Sequence, residues 1–136
     1  KQRVAIAGAV AMEPDILVLD EPTAMLDPIG RSEVMETVHQ LNKEKGITVI
    51  LITHHMEECI DADRVMILQN GSISADGTPK EIFSDIEKMK GFGLDVPETV
   101  KVMTELNKIY PGLPRDALSP EACAEAIKET IFNAHA

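Results

Sequence analysis

Short apolar runs alternate with stretches of helical periodicity through the first half of the chain. Ile16–Leu19 holds four aliphatic residues in succession and predicts a buried strand, and Thr48–Thr53 predicts a second strand. Between these strands apolar residues recur at helical spacing, and Gly46 after two lysines predicts the end of a helix. The residues at helical spacing are Val34, Met35, Val38 and Leu41.

The same pattern predicts two more helices and a hairpin. Gln2–Ala11 is rich in Ala, Val and Ile and predicts a closely packed helix, and Met56–Ala62 predicts a short one. Asn70-Gly71 is a strong turn signal between Val65–Gln69 and Ser72–Asp76, so these two runs are predicted to pair. The order strand, helix, strand, helix, hairpin is typical of an α/β sheet with an antiparallel edge.

The sequence changes character beyond the hairpin. Thr78-Pro79-Lys80-Glu81 combines an N-cap, a proline at the first helical position and a capping-box glutamate, so a helix is predicted to begin there. Pro97 and Ser119-Pro120 predict two further helix starts of the same kind. We therefore expect residues 1–76 to belong to the α/β domain and residues 77–136 to form a small helical appendix.

Composition and charge narrow the classes of function. The chain has 13 basic and 23 acidic residues, a formal net charge of -10, and its basic residues form no block. Nucleic acid is therefore not expected as a partner. The apolar runs are far too short to cross a bilayer. Cys59 and Cys123 stand in dissimilar contexts and predict neither a disulfide framework nor a metal knuckle, which favours a reducing, cytoplasmic setting.

Two adjacent carboxylates, Asp20 and Glu21, follow the first predicted strand. Open α/β sheets bind their ligands at the carboxyl ends of strands, and the core of a strand gains nothing from an acidic pair. One acid at such a place can hold a hydrated Mg²⁺, which favours Asp20, and the other can act on a water beside a phosphate, which favours Glu21. Taken alone, the pair also fits ordinary strand-end acids and other nucleotide-binding proteins such as helicases.

The residues that follow narrow this choice. Pro22-Thr23 and Leu26-Asp27 come after the acidic pair, and Ile52-Thr53-His54 ends the next strand. With Asp20-Glu21 they resemble the Walker B, D-loop and H-loop motifs of ABC-type ATPases, in the family's order and on the family's strands. Lys1–Ala7 is similar to the helix that directly follows the family's Leu-Ser-Gly-Gly-Gln signature. The resemblance implies an α/β fold, the C-terminal part of an ABC-type P-loop NTPase.

The resemblance also implies a role for individual residues. In the family the first Walker B acid supports Mg²⁺ through water and the second polarises the attacking water, which implies these roles for Asp20 and Glu21. The D-loop aspartate, matched by Asp27, contacts the opposite subunit. The switch histidine, matched by His54, reaches the γ-phosphate. ATP and Mg²⁺ are thus the implied cofactors.

A zinc site is an alternative interpretation of the histidines. His54 with Glu58 and His55 with Cys59 are spaced as i, i+4 pairs on one predicted helix. The two pairs point in different directions on such a helix, which makes one tetrahedral cage awkward, so no structural metal site is expected. Cys59 is instead predicted to pack as a small apolar residue.

Asp27 also has a structural interpretation. Asp27 followed by Pro28 is a good N-cap and first-turn pair, so the residue is predicted to cap the next helix as well as to serve the site. Met25 stands where the D-loop of the family usually has a small Ala or Gly.

Four further segments resemble the ATPases of energy-coupling-factor importers, including the cobalt branch. That group takes up vitamins or transition-metal ions, so the resemblance implies a subunit peripheral to the cytoplasmic face of the membrane. Its implied partners are a second ATPase subunit, in a homodimer or heterodimer, and integral membrane transport subunits. In that group the segment after the ATPase core helps the two ATPase subunits to associate, which implies such a role for the appendix. The segments are residues 7–14, 26–31, 77–83 and 93–97.

The 136 residues contain neither a Gly-x-x-x-x-Gly-Lys-Ser/Thr loop nor the signature peptide, although ATPases of this kind hold the phosphates with that loop. The chain opens with Lys1-Gln2-Arg3, without an initiator Met or an apolar leader. We therefore expect it to begin inside a longer protein and to be inactive alone. The alternatives are a non-transport ABC protein acting on ribosomes or DNA, which the negative charge disfavours, and a non-catalytic subunit-association module.

Overall fold

The structure, a computed structural model, describes residues 2–132, with side chains from Val4 to Ile131. Lys1 and residues 133–136, the last of the predicted appendix, lie outside the described residues. Within residues 2–132 no helix is both long and apolar enough to cross a bilayer. The helices are α1 (Gln2–Val10), α2 (Pro28–Lys45), α3 (Pro79–Phe83), α4 (Ile86–Gly91), α5 (Glu98–Ile109) and α6 (Pro120–Ile127). The strands are β1 (Ile16–Asp20), β2 (Thr48–Ile52), β3 (Val65–Gln69) and β4 (Ser72–Gly77), and there are a 3-10 turn (Met56–Cys59) and a π-helical turn (Lys128–Phe132).

The chain divides into two compact units, one ending at His54 and the other beginning at His55. In the first unit β1 and β2 pair in parallel, with Val18 opposite Ile50 and Asp20 opposite Ile52. Helix α2 forms the connection between the two strands, because parallel strands need a long crossover. The core of this unit consists of Ile6, Leu17, Leu19, Val34, Val38 and Ile47.

Strand β1 is buried on one face only. Leu17 and Leu19 pack into the core, whereas Ile16 and Val18 on the opposite face are each 58% exposed. The prediction of a buried strand is therefore wrong for that second face. The physical reason is that the helices of this unit contribute their core residues to the face of Leu17 and Leu19. The other face of the unit presents an aliphatic surface to solvent, to which β2 adds exposed residues of its own.

Helix α2 begins and ends where its sequence predicts. Asp27 is its N-cap and Pro28 its first residue, because proline at that position has no amide to leave unsatisfied. Gly46 ends the helix in the left-handed conformation, with φ of 67°, and its amide donates to the carbonyl of Asn42 at 3.1 Å. The buried residues Val34 and Val38 lie one turn apart on the side that meets the core.

In the second unit β3 and β4 form an antiparallel hairpin, as predicted. Asn70 and Gly71 both have positive φ, 51° and 77°, which is the backbone of the two-residue turn that Asn-Gly favours. Among the described residues β3 and β4 pair only with each other, so the hairpin is a separate two-stranded sheet. The predicted helix Met56–Ala62 is shorter, a 3-10 turn over Met56–Cys59.

The hairpin shares a core with the helices that follow it. Ile67 of β3 and Ala75 of β4 are buried in one cluster with Phe83 and Val100, which are fully buried. A smaller cluster lies under α5 and α6 around Met103. The boundary between the compact units thus falls before the hairpin, because Ile67 and Ala75 are buried in one cluster with residues of the appendix helices. The end of the ATPase domain at residue 76 stays a prediction.

The helix starts of the second unit follow their capping residues. The Thr78 hydroxyl accepts from the amide of Glu81 at 3.4 Å, and the Glu81 carboxylate accepts from the amide of Thr78 at 2.8 Å. This reciprocal pair is the predicted capping box. Ser119 caps α6 in the predicted way. Pro97 differs, since it is the N-cap of α5 and makes no side-chain cap bond there.

Replacing Glu81 by Gln is expected to remove a pH-dependent part of the stability. Hydrogen bonds from Thr78 hold the pKa of Glu81 below its ordinary value of 4.5. The carboxylate therefore stabilises the folded state above the ordinary pKa and ceases to do so as pH falls through the lowered pKa. Urea unfolding should show the wild type more stable than Glu81→Gln near neutral pH, with a difference that shrinks in acid. Thr78→Ser, which keeps the hydroxyl, should retain this pH dependence, and a difference independent of pH would contradict the capping-box account.

Candidate active site

Glu21 lies directly beyond the last residue of β1 and continues the hydrogen bonding of the sheet. Its amide donates to the carbonyl of Ile52 at 2.8 Å, so β2 holds the amide side of this residue. Glu21 has φ of 43°, in the left-handed region that a non-glycine residue enters at a cost of about 1–2 kcal/mol. Strain of this kind persists where the surroundings enforce it, and it is found at functional sites more often than elsewhere.

The carboxylate of Glu21 meets the imidazole of His54. The Oε1 atom of Glu21 and the Nδ1 atom of His54 are 3.0 Å apart, although the residues are 33 positions apart in the chain. His54 follows β2 as Glu21 follows β1, so parallel pairing brings the two strand ends to one edge of the sheet. Both residues were predicted from the sequence to belong to the site, and the structure brings their side chains together.

The pair of Glu21 and His54 is open to water. The side chains are 48% and 60% exposed, so solvent screens their attraction and the contact contributes at most about 1 kcal/mol. The two groups can therefore separate cheaply to admit a water molecule or a phosphate oxygen between them. A neutral imidazole has one donor and one acceptor nitrogen, whereas a carboxylate only accepts. If the ring of His54 is neutral, the contact with Glu21 therefore places its proton on Nδ1.

Asp20 ends β1 and is exposed, opposite Ile52 in the register of the pair. Because side chains alternate along a strand, Asp20 projects on the face of Ile16 and Val18. Magnesium takes one or two protein carboxylates and completes its shell with waters and substrate phosphates, so a single exposed carboxylate here fits that ion. Within residues 2–132 no three His, Cys, Asp or Glu side chains form a ready-made metal cage.

The zinc interpretation depended on a helix that the structure does not contain. His55 is the N-cap of the 3-10 turn and His54 precedes it, so neither histidine shares an α-helix with Glu58 and Cys59. Burial, and then the charges of the neighbouring glutamates, raise the pKa of the Cys59 thiol to about 11. A thiol that stays protonated is a poor zinc ligand at neutral pH.

Asp27 is held by the helix that it caps. Its Oδ1 accepts from the amide of Gly30 at 2.8 Å, which confirms the predicted N-cap. A Cβ atom at position 30 would lie 2.8 Å from the same oxygen, so a larger residue there would displace the capping carboxylate. The contact of Asp27 with an opposite subunit stays a prediction.

The loop between Glu21 and Asp27 contains a residue that sequence reasoning missed. Thr23 is fully buried, whereas Met25 is fully exposed and has φ of 67°. Nothing in the pattern of the loop marks Thr23 as buried, because threonine is usually exposed. The Met25 side chain, larger than the residue usual in the D-loop, points into solvent and leaves the loop packing intact.

No protein-family model matches the chain. It is 57% identical over 127 residues to the energy-coupling factor transporter ATP-binding protein EcfA1 of Caldanaerobacter subterraneus, a match covering 93% of this chain and 46% of that protein. It is 47% identical over 130 residues to the corresponding EcfA2 of Geobacillus kaustophilus, covering 94% of this chain and 45% of that protein. The chain thus spans less than half the length of these curated relatives.

Solved structures share the fold over part of the chain. The cbiO1 protein of Clostridium perfringens, part of the ABC transporter complex cbiONQ, is 41% identical, with a TM-score of 0.59 over 79% of this chain and 39% of that one. The ATP-binding cassette MJ0796, in a dimeric structure bound to ADP and Pi, is 35% identical, with a TM-score of 0.54 over 57% of this chain and 34% of that one.

These matches define the class of protein, because the chain shares its fold with ABC-type ATP-binding cassettes. Within that class, the curated relatives that match 93% of this chain at 48–57% identity are energy-coupling factor transporter ATP-binding proteins. The family resemblance and the fold class expected from the sequence are therefore confirmed.

Asp27→Ala is expected to lower the free energy of unfolding by about 1 kcal/mol, because the amide of Gly30 loses its capping acceptor. Asp27→Asn keeps an acceptor oxygen at the same place and should stay within a few tenths of a kcal/mol of the wild type. Urea unfolding of both variants measures the difference. Equal losses in the two variants would show that the charge of Asp27, rather than the cap, carries its structural role.

Proposed function

We propose that these residues are part of a longer ATP-hydrolysing subunit of an energy-coupling-factor importer, and that Glu21 and His54 work on the γ-phosphate of ATP. The observation that carries the proposal is the 3.0 Å contact between Glu21 and His54 where β1 and β2 end. The similarity of the chain to ATP-binding subunits of energy-coupling factor transporters supports it.

The chemistry assigns a different task to each side chain. The carboxylate of Glu21 is an acceptor that can hold and polarise a water for attack on phosphorus. When it separates from Glu21, His54 can donate its Nδ1–H to a γ-phosphate oxygen and so responds to the presence of that phosphate. Asp20, exposed at the end of the same strand, would hold Mg²⁺ through water, and the ion would neutralise charge on the phosphates.

Part of the site is proposed to come from residues beyond this chain. Phosphate binding by a Gly-rich loop with Lys is required in such ATPases, and no such loop occurs in the 136 residues. The solvent-facing aliphatic surface of the parallel strands supports the same view. Ile16 and Val18 are 58% exposed and Ile50 and Ile52 are 45% and 51% exposed, and soluble proteins usually cover such patches. We therefore propose that this chain alone is inactive.

The proposed assembly contains two ATPase subunits and integral membrane subunits, with ATP and Mg²⁺ as cofactors, at the cytoplasmic face of the membrane. A dimeric solved cassette with a similar fold supports the pairing of two subunits. The cargo is proposed only as a class, a vitamin or a transition-metal ion such as cobalt. The residues of the site point to phosphate chemistry and not to cargo, and the net charge of -10 disfavours nucleic acid.

In the longer protein, Glu21→Gln is expected to lower the steady-state rate of phosphate release on the order of 10²–10⁴-fold, because the amide cannot act as a base. His54→Ala should lower it as well, since the group that faces the γ-phosphate is removed. Glu36→Gln, the same chemical change at an exposed position on α2, is the matched control and should leave the rate unchanged. Wild-type rates in Glu21→Gln and His54→Ala would overturn the proposal.

A further inference from the structure

The loop from Glu21 to Asp27 consists of two overlapping turns. The carbonyl of Glu21 accepts from the amide of Ala24 at 3.1 Å, and the carbonyl of Thr23 accepts from the amide of Leu26 at 3.1 Å. Thr23 belongs to both turns, as the third residue of the first and the first residue of the second. Any movement of Thr23 therefore displaces both turns together.

Both turns hold a residue in the left-handed region. Glu21 has φ of 43° at the start of the first turn, and Met25 has φ of 67° at the third position of the second. Each such residue is strained, so the loop would relax unless its surroundings enforced the conformation. Neither side chain provides that enforcement by burial, since Glu21 is half exposed and Met25 fully exposed.

The buried part of the loop is Pro22 and Thr23, with support from Leu26. Thr23 is 0% exposed and makes polar contacts with its surroundings, and Leu26 packs against the core of the first unit. A buried hydroxyl costs several kcal/mol unless it is hydrogen-bonded, so its position is closely defined once it is satisfied. The loop is thus fixed from within at Pro22 and Thr23, while Glu21 and Met25 project into water.

We propose that Thr23 is a positioning residue, which fixes the strained backbone of Glu21 and thereby holds the Glu21 carboxylate beside His54. The inference rests on the proposed function, because its measurable consequence is the rate of ATP hydrolysis. Displacement of a reacting group by about 1 Å lowers a rate on the order of 10²-fold, so a buried residue that never meets the substrate can control catalysis.

Two substitutions separate the hydroxyl of Thr23 from its volume. Thr23→Val keeps the shape and removes the hydroxyl, together with the hydrogen bonding that the hydroxyl offers. Thr23→Ser keeps the hydroxyl and removes one methyl group. Thr37 offers the matched control, because its hydroxyl donates to the carbonyl of Glu33 at 2.9 Å on the exposed side of α2.

The experiment measures kcat and KM for ATP hydrolysis, with melting temperature, in the longer ATPase. We expect Thr23→Val to lower kcat at least about 10-fold with KM within about 3-fold of wild type. Thr23→Ser should keep kcat within about 3-fold, and Thr37→Val should match the wild type. If Thr23→Val does not fold, Thr23→Ala, which adds no bulk, takes its place with the same expected result.

A wild-type kcat in folded Thr23→Val overturns the inference, and so does an equal loss of kcat in Thr23→Ser and Thr23→Val. A rise in KM that accounts for the whole loss of kcat/KM also overturns it, because the residue would then act on nucleotide binding. Glu21→Gln distinguishes this failure from that of the proposed function. If Glu21→Gln hydrolyses ATP at the wild-type rate, the proposed function fails. If Glu21→Gln is inactive while Thr23→Val is normal, only the positioning role fails.

Discussion

The parallel pairing of β1 with β2 is the constraint on which the site depends. The register sets Asp20 opposite Ile52, and one further hydrogen bond, from the amide of Glu21 to the carbonyl of Ile52, carries the pairing past the end of the strand. Glu21 and His54 then meet at 3.0 Å. A slip of one residue would turn every side chain of a strand to the opposite face, so burial of Leu17 on one face protects the geometry of the site as well as the core.

Much of this arrangement was predictable from the sequence, because the signals were local. The Asn70-Gly71 turn and the Thr78 capping box each depend on a few adjacent residues, and both were predicted where they occur. The meeting of Glu21 with His54 followed from a general rule about the ends of parallel strands. The prediction of helix starts from proline was less accurate, since Pro97 is an N-cap rather than the first helical residue.

Other features were not predictable, because they depend on which elements of the folded chain pack against each other. Four aliphatic residues in β1 do not reveal whether both faces are covered, and Val18 is exposed in the described residues. The left-handed backbone of Glu21 and the burial of Thr23 arise from the fit of the loop against its surroundings, which no local pattern encodes. The positions of the strand ends in the site were thus predictable from the sequence. The conformation of the strained loop, which is fixed at Thr23, was not.

A double-mutant cycle on Glu21 and His54 tests the central claim most directly, namely that the two residues act as one unit on the same phosphate. The rate of ATP hydrolysis is measured in Glu21→Gln, in His54→Ala and in the double variant of the longer protein. Residues that work as a unit are strongly non-additive, so the double variant should lose hardly more activity than the more impaired single variant. Losses that multiply would show two independent sites of action and would contradict the account.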